Sequence, residues 1–356
     1  MLKHNIQEKI NFNLSKITNL NLVNYFGRAN TAIWSIASYL KKKNKKKTII
    51  LPSTMCVSPA IIFLVNDFKL LFVDVDKKSG LMNINKALKI INSRNDICAC
   101  FYVNLFGNKD ANSIKLKKNN KKILIIQDLA QTFLHKEKIT KKELFGDILI
   151  LSFGYSKIFD LNHGGIILSN KVDLYNFANE FNEKMNNKKI GKIGKKYYLN
   201  WYRKTFFENK KIYLDDVKKF AKKLYLIKFD KTKLLQIYRS INSINNEFKR
   251  RSNLLKNYKK FTKNVNIDVL HSKSTMIPWR FSFLIKKNRD IILKKLREKG
   301  YDASSYYPNI ANRFKKDNKN YPNSDIIEKN IVNLWLTKNY NAKKVIDQVK
   351  IFKKYI

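Results

Sequence analysis

The chain has 356 residues, 44% of them hydrophobic, with 73 lysines and arginines against 27 acidic residues and a formal net charge of +46. That apolar content excludes wholesale disorder and suffices for one large α/β domain with a smaller partner. The basic excess is mostly lysine scattered among asparagine and isoleucine, without the arginine and aromatic clusters that read or stack on bases, so no specific nucleic-acid partner is expected.

Residues Met1–Ile6 lead into polar sequence without the apolar core of a signal peptide, and no stretch approaches the roughly 20 apolar residues of a membrane helix. A soluble, cytoplasmic protein with no membrane insertion is expected. The three cysteines, Cys56, Cys98 and Cys100, form no pairable framework, which suits a reducing compartment, and no metal site is expected.

Residues 1–26 read as a helical or mixed entry. Gly27–Leu40 then reads as a turn opening a helix, with Ile33, Ile36, Ala37 and Leu40 on one face, and the free N–H groups at its start form an anion site. The run Lys41–Lys47 is a solvated turn. Thr48–Ser53 reads as a strand leading into a helical segment that ends at Val65, and Leu70–Asp76 as another strand in which Asp74 and Asp76 form turns. Cys98–Leu105 follows, with Cys98 and Cys100 alternating on a buried strand.

Three short isoleucine-rich runs come next, at 123–126, 148–151 and 166–168, bounded by polar or glycine turns as expected of strands buried on both faces of a parallel sheet. Asp128 stands just past the first run, Ser152 and Lys157 past the second. In open α/β sheets that is the edge where ligands bind. Strands alternating with helical segments from 48 to 170 predict a mostly parallel sheet flanked by helices.

The set suggests a pyridoxal phosphate site. A Schiff base needs an amine that can lose its proton, which Lys157 supplies. The pyridine ring acts as an electron sink while its nitrogen stays protonated, a state that the Asp128 carboxylate favours. Ser152 can point its hydroxyl at the cofactor phosphate.

Q-D-L-A-Q at 127–131, G-D-I-L-I-L-S-F-G-Y-S-K at 146–157 and H-G-G-I-I-L-S-N at 163–170 resemble three motifs of the DegT/DnrJ/StrS sugar aminotransferase family: E-D-A-A-Q, G-D-x-x-x-x-S-F-x-x-x-K and G-G-x-x-x-T-N. The resemblance implies the fold-type-I pyridoxal phosphate architecture and a homodimer with its site between two subunits. It makes Lys157 the Schiff-base lysine, Asp128 the pyridinium partner, Gln131 the ring-side glutamine and Ser152 the phosphate-binding serine. Asn30 and Thr31 match the helix start that holds the cofactor phosphate, in a register where Ala29 replaces a glycine; in a second register Gly27-Arg28 takes that place. Cys56 occupies the position of an aromatic residue that stacks on the ring, and Asn104 that of a histidine.

Further along, 171–250 is lysine- and aromatic-rich helical sequence with little likeness to the family. Tyr225–Phe229 is the nearest match to a segment whose asparagine, here Leu226, reaches the neighbouring subunit's cofactor. Asn245–Phe261 resembles the helix linking the two domains. Pro278–Ile285 alternates as a strand, Asp290–Gly300 is a helix ending on glycine, and Tyr301–Pro308 resembles a strand into the family's H-Y-P, where Tyr306 and Tyr307 either pack or touch substrate. Leu334–Thr337 and Ala342–Tyr355 close a small α/β domain. The expected division is 1–240 for the large cofactor-binding domain and 241–356 for the small one.

The expected activity is a pyridoxal 5′-phosphate-dependent aminotransferase acting on a nucleotide-linked keto sugar, with an amino acid such as glutamate as donor. A dehydratase branch of the family carries histidine where Lys157 stands, so lysine favours amino transfer. The alternative is a catalytically diverged member with a regulatory or structural role, suggested by the departures at Ala29, Cys56, His163 and 171–250. His163 itself reads as a turn residue.

Overall fold

The computed structural model describes residues 2–119, 123–135, 143–185, 192–206, 208, 212–270, 277–314 and 320–356. Of the helical reading for 171–250, residues 186–191, 207 and 209–211 lie outside the described residues. So do residues 136–142 within the stretch that carries the motifs.

Seven strands, β1 (Leu22–Phe26), β2 (Thr48–Pro52), β3 (Lys69–Val73), β4 (Ile97–Val103), β5 (Leu124–Asp128), β6 (Ile148–Ser152) and β7 (Gly165–Ser169), form one sheet in the order β1-β7-β6-β5-β4-β2-β3. Every residue of β2, β4, β6 and β7 is buried, which is why these segments read as continuous apolar runs instead of alternating ones. The pairs from β6 through β5, β4 and β2 to β3 are parallel.

The third isoleucine-rich run departs from the expected parallel sheet. β7 is antiparallel to both β6 and β1. A parallel return needs a crossover, usually a helix, across the sheet. Residues 153–164 instead form a loop at one sheet edge, and that loop carries Lys157.

Helices α1 (Leu2–Thr18), α2 (Ala29–Lys43), α3 (Val57–Val65), α4 (Ile84–Asn92) and α5 (Lys115–Lys118) are interspersed with the strands. After β7 come α6 (Val172–Glu183), α7 (Lys192–Phe206), α8 (Leu214–Tyr225) and α9 (Leu234–Asn242). Helix α2 packs on β6 and β7 and buries Ile33, Ile36, Ala37 and Leu40. Its last turn, Lys41–Lys43, sets cations against the negative end of the helix dipole, and the side chain of Lys47 donates to the carbonyls of Lys41 and Asn44.

The long helix α10 (Ile244–Phe261) runs from the main core, where Ile244 packs, into a second core that includes its own Leu254, Leu255 and Tyr258. That second core lies against a four-stranded antiparallel sheet ordered β10-β11-β9-β8, formed by β8 (Asp268–Val269), β9 (Arg280–Leu284), β10 (Ala303–Ser304) and β11 (Ile331–Trp335). Helices α11 (Arg289–Glu298) and α14 (Ala342–Lys353) pack on this second core, whereas α12 (Ala311–Phe314) and α13 (Pro322–Asn330) bury Ala311 and Ile327 in the main core. Phe281 and Phe283 face the second core, so β9's intervening Arg280 and Ser282 face the other way.

Two expectations change here. The strand expected over 301–308 pairs only at Ala303 and Ser304 before the chain leaves the sheet towards the main body. Asp74 is no mere turn former: it is 3% exposed and its Oδ1 accepts from the backbone N–H and hydroxyl of Ser324, capping the first turn of α13. Asp76 does form a turn, accepting from the N–H groups of Lys78 and Ser79. Among the described residues no helix is long and apolar enough to cross a membrane.

Candidate active site

The C-terminal ends of β5 and β6 open into a cleft of about 550 Å³ at the first turns of α2 and α3. Asp128, Ser152, Lys157, Cys56 and Asn30 all line it. The small unit closes the opposite side with Trp279, Arg280, Tyr306 and Tyr307, and α7 adds Tyr198 and Tyr202.

Asp128 ends β5, and its Oδ1 accepts the N–H of Ala130 at 2.8 Å. Burial raises its carboxyl above the ordinary range, while Lys157 pulls it back down. Burial likewise pushes the Lys157 amine below the usual lysine range, against the upward pull of Cys56 and Asp128 and with a further push from Arg280. The lysine is therefore biased towards the neutral, nucleophilic form, in a cleft with its carboxylate partner.

The loop bearing Lys157 is tied at many points. Phe153 donates to Gly164 at 2.9 Å and receives from Leu161 at 2.9 Å. Asp160 accepts from the N–H groups of Ser156 and Asn162. Ser156, at φ +63, turns the chain just before the lysine. From outside the loop, Trp279 donates to the Ser156 carbonyl at 2.8 Å, Arg280 to the Ser156 hydroxyl, and Arg251 to the Ile158 carbonyl at 3.3 Å.

Two glycines allow close approach around the start of α2, one to the sheet edge and one to the segment after α8. A Cβ on Gly165 would lie 2.4 Å from the backbone of Arg28 and Ala29, and one on Gly27 would lie 2.5 Å from the Ile227 carbonyl. The α2 start and Ser152 thus meet at one end of the cleft. Free N–H groups at a helix start, together with the Arg28 guanidinium, favour an anion there.

The structure does not bring all the expected site residues together. Thr31 is fully buried away from the cleft, its hydroxyl donating to the Tyr225 carbonyl at 2.6 Å and accepting from the Ile227 N–H at 3.2 Å. Asn30 and Ile33, three residues apart, share the cleft-facing side of α2, and Thr31 is rotated about 100° away from Asn30. Gln131 is also directed elsewhere, its Oε1 accepting the N–H of Phe106 at 2.7 Å beneath the turn after β4. Asn104 accepts from Gln127 and donates to the Asn108 carbonyl. His163 accepts the N–H of Asp230 at 3.0 Å, as a turn residue does. Cys98 and Cys100 are buried, which raises their thiols to about 11 and about 12.

Sequence reasoning missed Tyr198, Tyr202, Trp279, Arg280 and Trp335 as cleft residues, whereas Arg28 belongs to the second register expected for the α2 start. Arg280 had left a signal: it is the one charged residue in Pro278–Ile285, on the face opposite Phe281 and Phe283.

The model of the DegT/DnrJ/EryC1/StrS aminotransferase family matches residues 31–352. The chain belongs to that family. Solved structures share the fold of this DegT-family chain at low identity. A DegT/DnrJ/EryC1/StrS aminotransferase from Brucella abortus is 17% identical, with a TM-score of 0.72 and coverage of 98% of this chain and 90% of that one. GDP-4-keto-6-deoxy-D-mannose-3-dehydratase from E. coli, solved with hydrated PLP, is 15% identical with a TM-score of 0.75 over 97% and 91%. PseC of Helicobacter pylori, an aminotransferase of pseudaminic acid biosynthesis, is 14% identical with a TM-score of 0.75 over 98% and 91%. No curated protein sequence matches. The architecture is the expected fold-type-I one, a mostly parallel sheet flanked by helices with a smaller α/β unit.

Proposed function

We propose that this chain uses pyridoxal 5′-phosphate to move an amino group from an amino acid, glutamate by family resemblance, onto a keto group of a nucleotide-linked sugar. The observation that carries this is the meeting of Lys157 and Asp128 in one cleft, each shifted towards its neutral form by burial and each pulled back by the other.

The donor set fits the cofactor. Asp128 would face the ring nitrogen, with its Oδ1 oriented by Ala130. Ser152, Arg28 and the first backbone N–H groups of α2 would hold the phosphate, while the Thr31 hydroxyl is engaged with the Tyr225 carbonyl. When bound, the cofactor supplies an electron sink that lets an amino group leave one carbon and join another. Lys157 supplies the amine that anchors it and, once free, a base positioned to take and return a proton at the substrate carbon. Cys56 lines the cleft without offering a ring to stack on, but Tyr198, Tyr202 and Tyr307 are present there.

The acceptor class is supported by the solved neighbours, which include a GDP-sugar dehydratase and the pseudaminic acid enzyme. Lysine at 157 favours amino transfer over dehydration. A cytoplasmic homodimer with its site between two copies belongs to the same proposal, and sedimentation of the purified chain tests its stoichiometry.

The test is spectral. Purified protein mixed with pyridoxal phosphate should absorb at about 420 nm, and the band should shift on adding glutamate. Borohydride reduction followed by peptide mass spectrometry should place the adduct on Lys157. A protein that stays colourless after reconstitution is a diverged, non-catalytic member.

A further inference from the structure

The small unit builds the far wall of the cleft around one guanidinium. Arg280 is 4% exposed and lies between two indoles, with its central carbon 3.7 Å from the ring centre of Trp279 and 3.3 Å from that of Trp335. Its Nη1 donates to the Ser304 hydroxyl at 2.9 Å, and its Nη2 donates to the Ser156 hydroxyl. Both acceptors are neutral. Among the described residues no carboxylate lies within ion-pair distance of Arg280. The buried cation therefore has no ion-pair partner at contact distance, Asp302 acting on it only from further off, and burial pushes it down to about 9.

A guanidinium carries five N–H donors, and two are engaged here. The indoles cover both of its faces, so a ligand can approach only in its plane, from the edge. A planar fork of N–H groups offered edge-on matches a carboxylate or phosphate oxyanion, and the covered faces exclude a stacked aromatic ring. The wider cleft agrees, since Arg28, Lys157, Arg280 and Arg297 line it with Asp128 as its one carboxylate.

We propose, resting on the aminotransferase function above, that Arg280 is the receptor for an oxyanion carried by a substrate, either a carboxylate of the amino donor or a phosphate of the nucleotide-linked acceptor. Its bond to Ser156, the residue before Lys157, sets the bound anion beside the lysine loop. The two serines hold the fork at a fixed angle. Arg280 is thereby a specificity-determining residue: it binds the charged end of the molecule whose other end reaches Lys157.

The experiment is calorimetric titration of the full-length protein, saturated with pyridoxal phosphate, with malonate in one arm and pyrophosphate in the other. Tryptophan emission is recorded in parallel, because two of the four tryptophans flank the guanidinium. Wild type is expected to bind at least one probe saturably, and Arg280→Met to weaken that binding at least about tenfold. Arg280→Lys, which keeps the charge but loses the fork, is expected to fall between them and serves where the methionine variant does not fold. Malonate alone identifies the donor carboxylate, pyrophosphate alone the acceptor phosphate, and both a shared receptor. No binding of either probe to wild type, or equal binding by the folded variants, overturns the assignment. Absorbance at about 420 nm separates the two claims, since a cofactor-loaded protein whose Arg280 variants bind both probes normally sinks the receptor and leaves the function standing.

Discussion

The indole N–H of Trp279 donates to the carbonyl oxygen of Ser156 at 2.8 Å, joining the small unit to the residue that precedes Lys157. On the other side of the lysine, Arg251 of α10 reaches the Ile158 carbonyl, and its own charge is paired with Glu247 at 2.6 Å. Arg251 also donates to the Trp279 carbonyl at 2.7 Å, which closes the circuit. The lysine's backbone is thus held from both sides by residues of the linking helix and of β9 and its approach.

Trp279→Phe keeps an aromatic face on Arg280 and removes only the N–H donor. Losing one such bond costs about 1 kcal/mol. The melting temperature is expected to fall by a few degrees and kcat by about tenfold, because Lys157 then samples poses outside reach of the reacting carbon. Thermal melts and steady-state transamination check both. Unchanged kcat in the folded variant would show that the loop holds its pose without this contact.

Lys157→Ala removes the amine and leaves the rest of the cleft. Borohydride reduction of wild type is expected to label the peptide containing residue 157, and the variant is expected to carry no label and no transfer above background. A label on another lysine of the variant would move the anchor elsewhere.

Asp128→Asn should stabilise the cofactor-free protein while disabling it. The carboxyl's folded pKa lies above its ordinary value, so between those two values the native state binds more protons than the unfolded chain. Its penalty grows as pH rises through that window and is complete above it. Lys157 runs the other way: its folded pKa is lowered, and its penalty is complete at low pH and fades as pH rises through the folded value. Removing the carboxylate is expected to raise stability at neutral pH, a gain that disappears below the ordinary carboxylate range of about 4. Activity should drop about a hundredfold or more, since the ring nitrogen loses its anionic neighbour. Denaturant melts at several pH values decide the first part, and a variant less stable than wild type at neutral pH would contradict it.

Strands β5 and β6 could be located from sequence because burial on both faces leaves an unbroken apolar run, and Asp128, Ser152 and Lys157 because each stands at or just past such a run's end. The direction of β7 could not, since a short apolar strand looks alike whichever way it pairs. The side-chain directions of Thr31 and Gln131 are a matter of phase: one step along a helix or a tight turn redirects a side chain from cleft to core. Tyr198, Tyr202 and Arg280 lie far along the chain from the motif stretch and join the cleft only through packing.

Thr31→Val tests that phase directly. The hydroxyl bridges the Tyr225 carbonyl and the Ile227 N–H, fully buried, where α8 ends against the start of α2. Valine fills nearly the same space but leaves two buried backbone groups unpaired, at a cost of about 1–3 kcal/mol. A lower melting temperature is therefore expected, with the affinity for pyridoxal phosphate unchanged when titrated well below the melt, because Asn30 and not Thr31 shares the cleft with Ser152. Should the folded variant instead lose affinity tenfold while its melting temperature holds, the threonine would be a phosphate ligand after all, and the helix start would have to turn by one residue to present it.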